Sequence, residues 1–240
     1  MYTDVIDLRD FYETSLGQVA TRMLRRRMRE IWPDVAGLRL VGLGYASPYL
    51  RPFLGEAERV TAFMPAAQGV LHWPKEGPNV TALVDEAELP LQDSSVDRIL
   101  LVHALECTEQ VRPLLAECWR ALAGGGRLLV LVPNRRGIWA RLDRTPFGAG
   151  HPYTPTQLST LLREAAFTPV RSTAALFVPP TASRMVLSAA GAWESVGARW
   201  FTTFAGVVMI EATKQIYARP KPALEARRRR LVYRPAPTAI

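Results

Sequence analysis

A short apolar run that ends in two closely spaced glycines constrains the fold of this chain more than any other feature. Residues 38–43 are apolar except for Arg39, and Gly42 and Gly44 end the run before a segment compatible with a helix. The first glycine permits a tight turn, and the second lets a ligand approach the backbone closely. A strand that turns onto a helix in this way presents backbone N–H groups to a ligand. The segment therefore predicts an α/β fold with a binding loop at this turn.

Segments typical of strands and of helices alternate along the rest of the chain. We expect strands at residues 38–43, 59–64, 79–84, 96–103, 127–132, 168–172 and 204–212. We expect helices at residues 7–31, 48–54, 109–123, 154–166 and 182–200, the third of them capped by Gly124 to Gly126. This alternation predicts an α/β, Rossmann-like sheet of seven mostly parallel strands, with helices on both faces and an N-terminal helical extension.

The composition is that of a globular protein and indicates neither a membrane span nor a metal centre. Hydrophobic residues make up 48% of the chain. No run reaches the roughly 18 apolar residues that a membrane helix needs. The N-terminus carries Asp4, Asp7 and Asp10 instead of an apolar signal sequence, so we expect a cytoplasmic protein. Cys107 and Cys118 show no metal-ligand spacing, and we expect no metal site.

The net charge of +8 is concentrated at the C-terminus. Residues 219–240 hold seven basic residues and one acid, whereas residues 1–36 hold six arginines and six acids. We expect an N-terminal helical cap at 1–36, one domain at 37–217 and a basic, disordered tail at 218–240. The tail could contact an acidic partner, nucleic acid or anionic lipid, although a solvated tail is the simpler interpretation of the charge.

Four segments, taken in order, resemble the class I S-adenosylmethionine-dependent methyltransferases, in particular the group that acts on small molecules. They are Gly42-Leu43-Gly44, Asp85-Glu86-Ala87-Glu88-Leu89-Pro90-Leu91, Ser95 to Glu106, and Trp119 to Leu128. The resemblance implies S-adenosylmethionine as cofactor, a small-molecule acceptor, and a substrate lid in the insertion at about 173–203. No Asn/Asp-Pro-Pro-Tyr sequence follows the fourth strand, which argues against the branches that methylate nucleic-acid amino groups or protein glutamine.

The resemblance also implies which residues would bind the cofactor. The glycine loop would contact its methionine part, and the loop that begins at Asp85 would meet the adenine. The complete candidate set is Gly42, Gly44, Tyr45, Phe63, Met64, Asp85, Glu86, Ala87 and His103.

The chain departs from the family's pattern at three places. Leu40 stands where the family usually has an acidic residue, and Ala46 replaces the third glycine. The second strand ends in Phe63 and Met64 instead of the acid that accepts hydrogen bonds from the ribose hydroxyls. A buried ribose without this partner loses on the order of 1–3 kcal/mol of discrimination. One alternative is therefore a protein that keeps the fold, lacks catalysis and acts as a binding or regulatory partner. A dinucleotide-dependent oxidoreductase is a third interpretation, against which the missing glycine and the missing acid count.

Candidate catalytic residues follow the fourth and fifth strands. His103 could orient the acceptor or take its proton, and His151 and Tyr153 could close over it. The intervening loop carries arginines that could attract an anionic acceptor, namely Arg135, Arg136, Arg141 and Arg144. Aromatic residues that could line an acceptor pocket, cover it, or simply pack in the core are Tyr12, Trp139, Phe147, Trp193 and Trp200. The plainer interpretation of the histidines and arginines is a cleft lining and an exposed loop.

Overall fold

The computed structural model describes residues 2–142 and 144–215, and its strands form one seven-stranded sheet. The strands are β1 (Arg39–Gly44), β2 (Arg59–Pro65), β3 (Thr81–Val84), β4 (Val96–Val102), β5 (Leu122–Pro133), β6 (Phe167–Ala175) and β7 (Val207–Lys214). Their order across the sheet is β3-β2-β1-β4-β5-β7-β6. β1 to β5 are parallel, and β7 runs antiparallel to β5 and β6. This topology confirms the predicted Rossmann-like, mostly parallel sheet; the predicted tail at 218–240 lies outside the described residues.

Helices cover both faces of the sheet. They are α1 (Val5–Glu13), α2 (Ser15–Ile31), α3 (Ser47–Leu50), α4 (Val111–Ala121), α5 (Pro155–Glu164), α6 (Arg184–Ser188) and α7 (Ala190–Trp200). Short 3-10 helices cover Arg51–Phe53, Trp139–Arg141, Pro146–Gly148 and Thr202–Phe204. Across the part of the chain that the structure describes, no helix has both the length and the apolar character needed to cross a membrane.

The sheet has a hydrophobic core on each face, because successive residues of a strand point to opposite sides. α1, α2 and α3 contribute to one core, in which Leu40 of β1 and Leu100 of β4 are buried. α4 and α5 contribute to the other, in which Val41 and Ile99 are buried. The N-terminal helices therefore pack directly on the sheet, and α1 brings its side chains towards the edge at which β1 and β4 end.

The predicted helix at 7–31 is interrupted at Thr14. The backbone of Thr14 is extended, with φ −68° and ψ 159°, and its Oγ1 accepts a hydrogen bond from the N–H of Gly17 at 3.0 Å. A Cβ on Gly17 would lie 2.1 Å from the carbonyl oxygen of Phe11. The chain breaks here for two reasons: Thr14 caps the N-terminus of α2, and Gly17, which has no side chain, lets the end of α1 approach closely.

The prediction that Gly124 to Gly126 cap a helix is wrong, because α4 ends at Ala121. Leu122 is extended, fully buried and paired with Val96 of β4. Burial of Leu122 in the sheet therefore ends the helix before the glycines are reached, and they continue β5 instead. The predicted helix at 182–200 likewise divides, into α6 and α7.

Candidate active site

β1 and β4 lie side by side where the strand order reverses, and they end at the same edge of the sheet. Open α/β sheets bind ligands at such a reversal. Gly44 ends β1 with a φ of +83°, and a Cβ there would lie 2.2 Å from the carbonyl oxygen of Val102. A glycine is therefore needed for the loop to approach β4 this closely.

The glycine loop packs tightly against its own neighbours. A Cβ on Gly42 would lie 2.5 Å from Cβ of Ala46 and 2.5 Å from Cδ1 of Leu50. The N–H of Tyr45 donates to the carbonyl oxygen of Val102 at 2.8 Å. The loop thus lies at the predicted edge of the sheet, with its Tyr45 amide already used to extend the pairing between β1 and β4.

His103 follows β4 and lies at the centre of a buried hydrogen-bond network. Its φ of +50° is uncommon for a residue other than glycine, and only 2% of its surface is exposed. Nε2 lies 2.7 Å from the hydroxyl of Tyr12, and Nδ1 lies 3.2 Å from Oε1 of Glu106. The Tyr49 hydroxyl donates to the Tyr12 hydroxyl at 2.8 Å. A strained backbone that a buried network holds in place is a feature of functional sites.

The network selects one tautomer of the imidazole. A carboxylate only accepts hydrogen bonds, so Glu106 favours the tautomer in which Nδ1 carries the proton. Nε2 then accepts from Tyr12, whose oxygen accepts from Tyr49. Burial raises the pKa of both tyrosine hydroxyls, which keeps them protonated. Nε2 of His103 therefore carries a free lone pair, to which the Tyr12 hydroxyl donates a hydrogen bond.

The Glu106 carboxylate is buried and only partly paired within the described part of the chain. The residue is 1% exposed, and Oε2 has no hydrogen-bond partner among the described residues. A buried polar atom without a partner costs free energy until a donor reaches it. The sequence did not select Glu106 as a site residue, because its position in the turn between β4 and α4 gives no local sign of this oxygen.

The loop after β3 contacts the beginning of the chain. Asp85 is exposed, and its Oδ1 accepts a hydrogen bond from the N–H of Ala87 at 2.9 Å. Glu86 is buried, and its carboxylate accepts hydrogen bonds from the hydroxyls of Tyr2 and Thr108. Burial raises the pKa of Tyr2, and the Glu86 carboxylate adds to this effect. The loop predicted to meet an adenine therefore holds a tyrosine side chain of the chain's own N-terminus.

Residues 2–13, which we call the N-terminal cover, extend across the ends of several strands. Tyr2 contacts Glu86 in the loop after β3, and Tyr12 contacts His103 after β4. Between them, the N–H of Val5 donates to the carbonyl oxygen of Gln68 at 2.8 Å, and the Gln68 amide donates to the carbonyl oxygen of His103 at 3.2 Å. The cover thus lies over the edge at which the candidate cofactor residues gather.

The end of β2 has no polar side chain to offer a ligand. Met64 and Phe63 are buried in the cores on opposite faces of the sheet. Leu40, in place of the acid expected on β1, is also buried in a core. The structure therefore gives these three side chains a packing role, and cofactor contact by Phe63 and Met64 stays a prediction.

The predicted acceptor residues lie on the segment that follows β5. The N–H of His151 donates to the carbonyl oxygen of Glu106 at 2.7 Å, while the side chain of His151 is exposed. Tyr153 is half-buried, and burial raises its pKa. All four arginines of this loop are exposed, namely Arg135, Arg136, Arg141 and Arg144. His151 is thus tied to the site through its backbone, and catalytic roles for His151 and Tyr153 stay predictions.

The aromatic residues expected to line an acceptor pocket fall into two groups. Trp139 and Phe147 are buried with their ring centroids 5.4 Å apart, and the Phe147 ring lies 5.0 Å from that of His103. Trp193 and Trp200, on α7, are 44% and 71% exposed. Phe147 therefore packs beside the imidazole and Trp139 packs against Phe147, whereas the two tryptophans of α7 are largely exposed.

The donors and acceptors at this edge fit S-adenosylmethionine in part. Oε2 of Glu106 can accept a hydrogen bond from the amino group of the methionine part, and the exposed Asp85 can accept one from the adenine amino group. Phe63 and Met64 give the ribose hydroxyls no acceptor. The residues present therefore suit the methionine part and the adenine better than the ribose. Binding of the adenine also requires the N-terminal cover to move away from Glu86.

Comparison with known proteins agrees with the fold. Residues 41–130 match the model of the methyltransferase domain family. A probable S-adenosylmethionine-dependent methyltransferase of Mycobacterium tuberculosis is 36% identical over 86 residues, which cover 35% of this chain and 31% of the relative. The chain thus matches about a third of the length of this curated relative.

Solved structures are similar over most of the chain. A SAM-dependent methyltransferase of Thermotoga maritima, a possible histamine N-methyltransferase, gives a TM-score of 0.60 at 17% identity, covering 88% of this chain and 95% of that one. The 1,6-didemethyltoxoflavin-N1-methyltransferase of Burkholderia thailandensis, solved with S-adenosylhomocysteine, gives 0.52 at 18% identity, covering 88% of this chain and 85% of that one. At such identities the similarity demonstrates a shared fold.

Proposed function

We propose that this chain is a class I S-adenosylmethionine-dependent methyltransferase that transfers a methyl group to a small, anionic acceptor. The match of residues 41–130 to the methyltransferase domain family and the fold shared with solved methyltransferases support the proposal. The observation that carries the proposal is the buried network at the end of β4. In it, one oxygen of Glu106 pairs with Nδ1 of His103, the other has no partner among the described residues, and Nε2 of the imidazole faces Tyr12. The exposed arginines after β5 support an anionic acceptor.

The cofactor, when bound, would supply an electrophilic methyl group on a positively charged sulfur, with neutral S-adenosylhomocysteine as the leaving group. Glu106 would hold its amino group, Gly42 and Gly44 would approach its methionine part, and the loop that begins at Asp85 would meet the adenine. Catalysis then depends mainly on holding the acceptor in line, and such alignment is worth up to about 7–11 kcal/mol in well-oriented reactions.

His103 would accept the proton of an acceptor hydroxyl or amine. Its Nε2 accepts a hydrogen bond from a phenol in this structure, at a distance of 2.7 Å. An acceptor group that replaces Tyr12 would meet the same lone pair, and Glu106 at Nδ1 would stabilise the imidazolium that forms. The role of Tyr12 is thus to protect the base until the acceptor arrives.

Entry of the cofactor requires the N-terminal cover to move. Tyr2 must release the carboxylate of Glu86, and Tyr12 must release His103. We assign this movement to the N-terminal cover, within the predicted cap at 1–36, and the insertion at about 173–203 to a substrate lid.

A second candidate function is favoured by the way in which the chain occupies its own cleft. The Tyr45 amide, the Glu86 carboxylate and Nε2 of His103 all have partners within the protein. A methyltransferase fold closed in this way could lack catalysis and act as a binding or regulatory partner.

Calorimetric titration of the full chain with S-adenosylmethionine and S-adenosylhomocysteine separates the two functions. Methyl transfer predicts saturable binding of both, with a gain in the free energy of unfolding of about 2.7 kcal/mol at 100 times the Kd. The absence of heat and of any thermal shift at millimolar concentration would contradict methyl transfer and support the binding protein. NADH is the comparison ligand, since binding of NADH alone would support an oxidoreductase.

A further inference from the structure

A cavity of about 800 Å³ beside α1, α2 and α3 has walls rich in cationic side chains. The cationic residues that line it are Arg9, Arg22, Arg25, Arg51 and Lys75, and the acidic residues are Glu13 and Glu76. Five cations against two acids give the cavity a net positive charge. Such a concave, charged surface attracts anions.

Three of these cations have no carboxylate partner. Arg22 and Arg51 form no ion pair within the described residues, and the guanidinium of Arg25 donates to a backbone oxygen, that of Pro48, at 2.7 Å from Nε. By contrast, Lys75 pairs with Glu13 at 3.1 Å. Like charges held together repel one another, so an anion among the three arginines would remove an unfavourable interaction.

A buried hydroxyl at the same cavity also lacks a partner. Ser47 is the first residue of α3, and only 5% of its surface is exposed. Its Oγ has no hydrogen-bond partner among the described residues. Since buried hydroxyls are normally paired, this atom points to a ligand that completes its hydrogen bonding.

Three aromatic rings also line the cavity. Tyr12 and Tyr45 stack with their ring centroids 5.4 Å apart and their planes 18° apart, and Trp73 also lines the cavity. Rings of this kind accommodate the apolar or planar body of a ligand. Because Tyr12 also contacts Nε2 of His103, a ligand here lies one side chain away from the candidate base.

We propose that this cavity binds a small organic anion, with a carboxylate or phosphate group against Arg22, Arg25, Arg51 and Ser47 and an apolar body against the aromatic wall. Guanidinium groups bind both anions through paired hydrogen bonds. As a statement about the methyl acceptor, the inference rests on the proposed function, whereas the binding site itself does not depend on methyl transfer.

Calorimetry of the full chain with phenyl phosphate, benzoate, inorganic phosphate and phenol tests the site. The two aryl anions should bind more tightly than inorganic phosphate, which lacks the apolar body, and the better of them identifies the preferred anion. Phenol, which lacks the charge, should bind at least about 10-fold more weakly. The double variant Arg22→Gln/Arg51→Gln should lower the affinity for aryl anions by about 10-fold or more, and Ser47→Ala by about 3–10-fold.

Arg184→Gln is the matched control, because Arg184 is an exposed arginine on α6 and does not line this cavity. Equal binding of phenol and phenyl phosphate, or unchanged affinity in a double variant with native thermal stability, would overturn the proposal. Binding of S-adenosylmethionine without binding of any aryl anion would overturn this site and leave methyl transfer intact. Anion binding that depends on the two arginines, without binding of S-adenosylmethionine, would support the site and contradict methyl transfer.

Discussion

The hydroxyl of Tyr12, on α1, lies 2.7 Å from Nε2 of His103, at the end of β4. This contact connects the N-terminal cover to the candidate base. It places a phenol where the proposed reaction requires the proton of the acceptor, so that the base becomes accessible only when α1 moves. The site therefore has two states: a closed one, in which Tyr12 contacts His103, and an open one, in which the proposed reaction takes place.

Replacement of Tyr12 by phenylalanine should lower the free energy of unfolding by about 1–3 kcal/mol. The change removes the donor to His103 and the acceptor of the Tyr49 hydroxyl, both of which are buried. Urea unfolding at neutral pH measures the loss. Tyr45→Phe is the control, because the Tyr45 ring stacks on Tyr12 while its hydroxyl has no hydrogen bond among the described residues. A loss as large in the control would show that removal of any tyrosine hydroxyl from this cluster, and not loss of the Tyr12 hydrogen bonds, accounts for the effect.

Replacement of Glu106 by glutamine should weaken the binding of S-adenosylmethionine by about 10-fold or more, since a hydrogen bond to a charged group contributes about 1.5–3 kcal/mol. The variant keeps the shape of the side chain and removes the charge of the unpaired oxygen. Calorimetry measures the Kd of wild type and variant. Glu109→Gln, an exposed glutamate three positions along the chain, should leave the affinity unchanged. An equal effect of the two variants would indicate a general electrostatic field in place of a contact at Glu106.

Replacement of Gly44 by alanine should destabilise the protein far more than the same change at Gly55. Both glycines have a φ of +83°, which costs an alanine about 1–2 kcal/mol. A Cβ at Gly55 would meet nothing within 4 Å, whereas one at Gly44 would lie 2.2 Å from the carbonyl oxygen of Val102. Crowding should add about 1–3 kcal/mol at Gly44. Similar unfolding midpoints for the two variants would contradict the close packing of the loop on β4.

Replacement of Asp97 by asparagine should reduce stability at neutral pH and have a smaller effect in acid. The hydrogen bonds that Arg39 donates, at 2.9 Å from Nε, hold the pKa of the Asp97 carboxyl below its usual value of about 3.9. A carboxyl whose pKa is lowered by folding contributes its stability above the unfolded pKa and loses it as the pH falls through the folded pKa. Denaturant unfolding from pH 7 to pH 3 should show a difference of about 1 kcal/mol that shrinks below about pH 4. A difference that is constant over this range would contradict an ionic contribution.

The sheet could be predicted from local patterns, whereas the network at its edge could not. Buried parallel strands such as β4 appear as apolar runs, and the glycine loop and its spacing to later motifs identify the class of fold. Tyr12 and His103 are 91 positions apart, and neither residue's neighbours indicate the contact. The orphaned oxygen of Glu106 depends on the path of a turn, which no periodic pattern encodes. The end of α4 also depends on tertiary packing, because the helix stops where Leu122 is buried in the sheet and not at the following glycines.

Amide hydrogen exchange with and without S-adenosylhomocysteine tests whether the cofactor binds at this edge of the sheet and displaces the N-terminal cover. Ligand binding should slow exchange at residues 42–46 and 85–88 and alter exchange at residues 5–13, within the N-terminal cover. The first two segments report the site, and the third reports the displacement of Tyr12 from His103. Cofactor binding at this site would be contradicted by saturable binding that leaves all three segments unchanged, or by no change in any segment at millimolar ligand.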